Sequence, residues 1–156
     1  MRKVAVIGSG YVGAVVAASL ASVGHRVVGV EVDPDRVASL RAGIVPFYEP
    51  GLSELITAQI ERASLSFTAT YSEAIAGADV AFLCVGTPSN ADGSPDTSFL
   101  ESAAASIAGA LTAPLVVVTK STVPIGSGRW LDRLIDDERV AVVSNPEFLR
   151  EGTAVK

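Results

Sequence analysis

Short apolar runs recur along the chain at Lys3–Ile7, Val27–Glu31, Leu65–Ala69, Asp79–Val85, Leu115–Lys120 and Val140–Val143. Most are continuous hydrophobics with no strict alternation, the pattern of strands covered on both faces. Between them, apolar residues return at helical spacing over Tyr11–Val23, Pro34–Arg41, Leu52–Arg62, Ser72–Ala76, Thr97–Leu111 and Ser127–Asp137. Strand and helix alternate, which predicts an α/β fold: a doubly wound, six-stranded, mainly parallel sheet with helices on both faces.

Punctuation supports these boundaries. Asp33-Pro34 reads as an N-cap followed by proline at the first helical position, and Gly43 closes that helix. Ser72 precedes a short helix, and Asp96 is placed to cap the helix that follows it. The stretch 86–95, with two prolines, Asn90 and Asp92-Gly93, reads as a loop. In a doubly wound sheet, loops at the carboxyl ends of strands are where ligands bind.

Composition narrows the class. The 156 residues are 49% hydrophobic and 19% charged, as in a compact globular chain of one domain. A net charge of -5 argues against nucleic acid or an anionic membrane surface as a partner. The start, Met1-Arg2-Lys3 before an apolar run, resembles a secretory signal, but Gly8-Ser9-Gly10 interrupts the run where a signal is continuous. No segment approaches the ~20 apolar residues needed to span a bilayer. The single cysteine, Cys84, cannot form an internal disulfide and suits a reducing, cytoplasmic setting.

The segment VAVIGSGYVG places Gly8, Gly10 and Gly13 between the first strand and the first helix, and Glu31 ends the second strand. Strand, glycine turn, helix and acidic residue together form the dinucleotide-binding fingerprint of a Rossmann-type fold. Gly8 makes the turn, Gly10 admits a diphosphate to the backbone, and Gly13 lets helix and strand approach. The amides near Tyr11 and Val12, at the helix N-terminus, then bind the anion. Glu31 is expected to accept the adenosine ribose hydroxyls and repel a 2′-phosphate, favouring NAD over NADP. Arg36 is the competing signal, since an arginine there can receive that phosphate or pack over the adenine.

With the glycine turn, VGTPSN (85–90), KSTVPIG (120–126) and NPEFLREG (145–152) in order, the chain resembles the N-terminal NAD-binding domain of the UDP-glucose/GDP-mannose dehydrogenases. The resemblance covers essentially all of residues 1–156, and FYEPGL (47–52) looks like a further family loop. It implies oxidation of the C6 alcohol of a nucleotide sugar to a carboxylate by two hydride transfers to NAD, with a cysteine-bound intermediate between them. By position, the cofactor residues are Gly8, Gly10, Tyr11, Val12, Gly13, Glu31, Arg36, Val85, Gly86, Thr87, Ser121, Thr122 and Glu151. Thr122 is expected to hold the catalytic water, Glu147 to act as general acid/base, and Glu151 to lie between cofactor and substrate. Which of the two glutamates is the principal acid/base stays open. Glu147, Phe148, Leu149, Arg150 and Glu151 are expected to line the sugar-nucleotide site. The family usually has aspartate where this chain has Glu31, a longer arm that can displace the ribose contact.

From the residues alone, Glu147 and Glu151, four apart with Arg150 between, also read as solvated acids on a helix face. The family's nucleophilic cysteine, central helix and sugar-nucleotide domain belong beyond the equivalent of Lys156. Cys84, in a predicted buried strand, reads as a small hydrophobe with a raised pKa. His25 reads as a turn residue at the far end of the sheet, and Trp130 and Leu134 as residues packed on the sheet. Nothing suggests a metal site. The expectation is an NAD-binding portion that does not turn over UDP-glucose alone, monomeric here and homodimeric in the complete enzyme. A GDP-mannose 6-dehydrogenase, another dehydrogenase of this architecture, and a non-catalytic NAD-binding regulatory module are the competing readings.

Overall fold

The structure, a computed structural model, describes residues 1–123 and 126–155. Pro124 and Ile125 of the 120–126 motif, and Lys156, lie outside the described residues. The strands are β1 (Lys3–Ile7), β2 (Arg26–Val30), β3 (Leu65–Thr68), β4 (Val80–Leu83), β5 (Leu115–Thr119) and β6 (Val140–Ser144). The helices are α1 (Tyr11–Ser22), α2 (Pro34–Arg41), α3 (Leu52–Glu61), α4 (Tyr71–Ile75), α5 (Ser98–Ala110) and α6 (Ser127–Ile135). The strands form one sheet in the order β3-β2-β1-β4-β5-β6, and every pairing is parallel. The strand order reverses between β1 and β4, which opens a crevice at their carboxyl ends.

Each face of the sheet carries its own core, which is why the strands lack alternation. Ala5 and Ile7 of β1 pack with Leu100, Ala104 and Ile107 of α5 and with Leu131 of α6. Their neighbours Val4 and Val6 face the other way, onto Ala14, Val15 and Ala18 of α1 and Leu52 and Ile56 of α3. The buried alanines of α1 let that helix lie close to the sheet. On this second face the β5–β6 end is left open, and Val116 and Val143 are 37% and 46% exposed.

Most predicted boundaries stand within one or two residues, and three local expectations change. Ser72 does not precede α4 but lies inside it, and the N-cap is Thr70. Leu134 is 38% exposed; Leu131 and Ile135 are the buried residues of α6, with Trp130 partly buried beside them. Cys84 falls just past the end of β4, where the chain leaves the sheet, although its N–H still donates to the Ile7 carbonyl at 2.8 Å. The Asp33 cap holds: its carboxylate accepts from Asp35 N–H at 2.9 Å, and Gly43, at φ +75°, follows the last turn of α2. Asp96 lies one residue before the N-cap of α5, Thr97, and accepts from the N–H of Ser98, the first residue of that helix, at 2.9 Å. Arg2 N–H donates to His25 Nδ1 at 3.3 Å, at the amino end of the sheet and away from the crevice.

Candidate functional site

The glycine turn bridges β1 and α1 because nothing bulkier fits. Gly8 has φ +91°, and a Cβ there would come within 2.9 Å of the Cys84 carbonyl oxygen. A Cβ on Gly13 would overlap the Gly8 carbonyl oxygen, so helix and turn touch only because this position has no side chain. Gly10 differs: a Cβ would meet nothing within 4 Å, so the space beside it is open. Ser9 is folded inward, its hydroxyl donating to the Val30 carbonyl at 3.1 Å. The chain thus presents the N-terminus of α1 to open space, the arrangement a diphosphate requires.

Two cavities meet at this turn. One, of about 450 Å³, is lined by Gly8, Gly10, Glu31, Arg36, Tyr71 and Phe99, among others. The other, of about 290 Å³, is lined by Tyr11, Val12, Thr87, Ser121, Thr122 and Glu147, together with Lys120. Gly10, Cys84, Val85 and Gly86 belong to both walls, so the cavities form one groove across the switch point. A third cavity, of about 460 Å³, shares Ser121, Thr122 and Glu147 with the second and is bounded further out by Phe148. A larger hollow, about 540 Å³, runs along the β3 side past Lys3, Arg26 and Arg41 and includes none of the glycine-turn residues. Size alone therefore does not find the site; the convergence of backbone amides, hydroxyls and carboxylates does.

Glu31, just past the carboxyl end of β2, is buried at 7% exposure. One of its oxygens accepts from Asp33 N–H at 3.2 Å, and the other lies 3.8 Å from Arg36. The Arg36 guanidinium is thus drawn toward the carboxylate at the cavity rim. Burial and then the Glu31 charge push the Tyr71 phenol above its ordinary pKa.

Hydrogen bonds between loops fix the opposite end of the groove. Ser121 Oγ donates to the Val85 carbonyl at 2.7 Å, and Thr87 Oγ1 to the Thr122 carbonyl at 2.9 Å. Glu147 is no helix-face acid, because residues 145–150 form no helix. It accepts from the Leu149 N–H, and its second oxygen is 3.8 Å from Lys120 Nζ, with both side chains mostly buried (16% and 14% exposed). Lys120 also donates to Asn145 Oδ1 at 3.0 Å. Burial pushes the Cys84 thiol up to about 12, with Lys120 opposing and Glu147 adding to the effect.

The expected residues thus divide. Gly8, Gly10, Tyr11, Val12, Glu31, Arg36, Val85, Gly86, Thr87, Ser121, Thr122 and Glu147 all line the groove. Gly13 lies behind it as a packing residue. Phe148 lines the third cavity at 89% exposure, while Leu149, Arg150 and Glu151 are exposed and line none of these cavities. The Glu151 charge nevertheless contributes to raising the Tyr11 phenol. Lys120, Asn145 and Glu49 were not singled out by sequence reasoning, although each sits within a motif that was. Among the described residues, no group of three or more His, Cys, Asp or Glu is placed to hold a metal ion, and no helix is long and apolar enough to cross a membrane.

Comparison with known proteins agrees with this geometry. Residues 2–156 match the family model described as the UDP-glucose/GDP-mannose dehydrogenase family, NAD binding domain. NAD, expected from the glycine turn and Glu31, is the cofactor in that description. The chain is 45% identical to a UDP-glucose 6-dehydrogenase of Pseudomonas aeruginosa, over 98% of this chain and 36% of the relative. The structure of a UDP-glucose dehydrogenase from Pyrobaculum islandicum superposes with a TM-score of 0.93 at 43% identity, covering 99% of this chain and 38% of that one. A ternary complex of GDP-mannose dehydrogenase from Pseudomonas aeruginosa gives 0.91 at 34% identity, covering 98% and 38%. The chain therefore spans little more than a third of the length of these relatives.

Proposed function

The chain belongs to the UDP-glucose/GDP-mannose dehydrogenase family, and from that premise we propose that it serves a nucleotide-sugar dehydrogenase that oxidises UDP-glucose to UDP-glucuronate in the complete enzyme. The observation that carries this reading is the continuous groove, whose two cavities share Gly10, Cys84, Val85 and Gly86 and end on Glu147. UDP-glucose is preferred to GDP-mannose because two UDP-glucose dehydrogenases share 45% and 43% identity with the chain, against 34% for a GDP-mannose dehydrogenase.

In this reading the open space at Gly10 and the N–H groups at the start of α1 receive the diphosphate. Glu31 accepts the ribose hydroxyls, and its buried charge disfavours a 2′-phosphate. Val85, Gly86, Thr87 and Ser121 shape the nicotinamide end, with Ser121 and Thr87 locked by their bonds to the 85 and 122 carbonyls. NAD supplies the hydride acceptor when bound. Glu147 stands where the second and third cavities meet and moves the proton of the sugar hydroxyl as general acid/base, with Lys120 holding its carboxylate. The Thr122 hydroxyl orients water, since it both donates and accepts. Glu151 and the Phe148–Arg150 segment face the sugar nucleotide.

The raised Cys84 thiol is the chain's only cysteine, and a thiol held protonated is a poor nucleophile. We therefore assign covalent oxidation of the sugar, the central helix, the sugar-nucleotide domain and homodimerisation to the complete enzyme, a cytoplasmic protein in this reading, and treat residues 1–156 as the monomeric cofactor portion. Incubating the chain with NAD and UDP-glucose tests this division. No sustained rise in NADH absorbance is expected; a sustained rise would place the whole chemistry within these residues.

A further inference from the structure

A carboxylate outside the groove ties the start of α1 to the segment that follows Glu147. Glu49, at 5% exposure, sits in the loop before α3. Its Oε2 accepts from the Tyr11 hydroxyl at 2.7 Å and from the Gly152 N–H at 2.6 Å, and its Oε1 accepts from the Ala154 N–H at 2.9 Å. Among the described residues no ion pair involves Glu49, so donor groups alone compensate a buried charge. Packing reinforces the bonds. The Tyr11 and Phe47 rings meet edge to face with centroids 5.3 Å apart, and Ala154 and Val155 pack with Phe47 against the α1–α3 core.

Tyr11 is the first residue of the helix whose amides face the open cradle, and Gly152 directly follows Glu151. Lifting the 147–154 segment away would strip Glu49 of the Gly152 and Ala154 amides and leave a buried charge under-compensated, which is costly. The same loss follows if Tyr11 moves. We propose that Glu49 is a positioning residue that couples cofactor binding at the Tyr11 end of α1 to the placement of the Glu147–Glu151 segment. This rests on the reading that the NAD diphosphate sits on the α1 N-terminus. The loop 47–52 thereby acquires a role: it sets the catalytic segment at a fixed height over the cofactor, although no atom of Glu49 lines the groove.

The test is amide hydrogen exchange at Gly152 and Ala154, with and without saturating NAD, in the 156-residue chain and in Glu49→Gln and Tyr11→Phe variants. In the unmodified chain NAD slows exchange at both amides by about fivefold or more, the lower end of ordinary coupling between sites. In Glu49→Gln the two amides exchange faster at baseline and NAD no longer changes them. In Tyr11→Phe, which keeps both amide bonds to Glu49, baseline protection survives but the response to NAD is lost; this variant carries the test if Glu49→Gln does not fold. A purely structural staple would alter baseline exchange and leave the NAD response intact, and that result overturns the proposal. So does NAD binding without any effect on the two amides of the unmodified chain. Absence of NAD binding to the unmodified chain would instead remove the cofactor reading, and the coupling with it.

Discussion

The Lys120 ammonium stands 3.8 Å from the Glu147 carboxylate, and the strand register puts it there. Thr119 of β5 pairs with Ser144 of β6, so the residues that leave the sheet next, Lys120 and Asn145, emerge side by side and bond through their side chains. Glu147 Oε2 is buried with no hydrogen-bond partner among the described residues, so the lysine is its main compensation. Replacing Lys120 by Met is expected to destabilise the chain by about 1–3 kcal/mol, the cost of leaving a buried polar group uncompensated. Adding Glu147→Gln should recover most of that loss. Urea unfolding of the single and double variants measures both.

Two glycines of the same turn separate packing from binding. Gly13→Ala drives a Cβ into the Gly8 carbonyl, a backbone atom that cannot rotate aside, and should cost about 1–3 kcal/mol of stability as overpacking does. Gly10→Ala meets nothing within 4 Å and should cost less than about 1 kcal/mol, as expected for losing glycine at a helix cap. Its NAD affinity should nevertheless fall by roughly tenfold or more, because the methyl fills the space meant for the diphosphate. Unfolding curves and calorimetric titration of both variants separate the two effects.

The contrast between these glycines and Glu49 shows where sequence reading reaches its limit. The glycine turn is local: strand, turn, helix and Glu31 lie within one βαβ unit, so spacing reveals both fold and cradle. Strand ends slip by a residue or two, as at Cys84, because continuous apolar character persists after the chain has left the sheet. Glu49 accepts from residues 103 and 105 positions away, and no local period records such a partnership. Lys120 was likewise hidden, since its meaning depends on β5–β6 register. Pairing the residues that follow adjacent parallel strands would have found it.

Tyr11 gives a pH signature. Burial first, then the Glu49 hydrogen bond and charge, raise its phenol to about 12 from 10. Between those values the folded chain keeps a proton that the unfolded chain loses. The contribution is therefore whole below pH 10 and disappears as pH rises through 12. The stability difference between the unmodified chain and Tyr11→Phe, measured by denaturant unfolding from pH 9 to 12, should shrink steadily across that window. A difference constant with pH would rule out the part-buried phenol–carboxylate bond.

Cys84 should behave as an inert thiol. With its pKa near 12 against an ordinary 9, its thiolate fraction at pH 8 is lower by roughly a thousandfold. Reaction with a disulfide reagent at pH 8 should be correspondingly slow in the folded chain and become fast in denaturant. Rapid labelling of the folded chain would reopen Cys84 as a reactive group.

The most direct test of the account is a crystal structure of the chain grown with saturating NAD. The diphosphate is expected within hydrogen-bond distance of the amides at the start of α1, beside Gly10, with the adenosine ribose hydroxyls on Glu31 and the nicotinamide toward Thr122 and Glu147. NAD bound elsewhere, or a cradle left vacant at saturating cofactor, would contradict it.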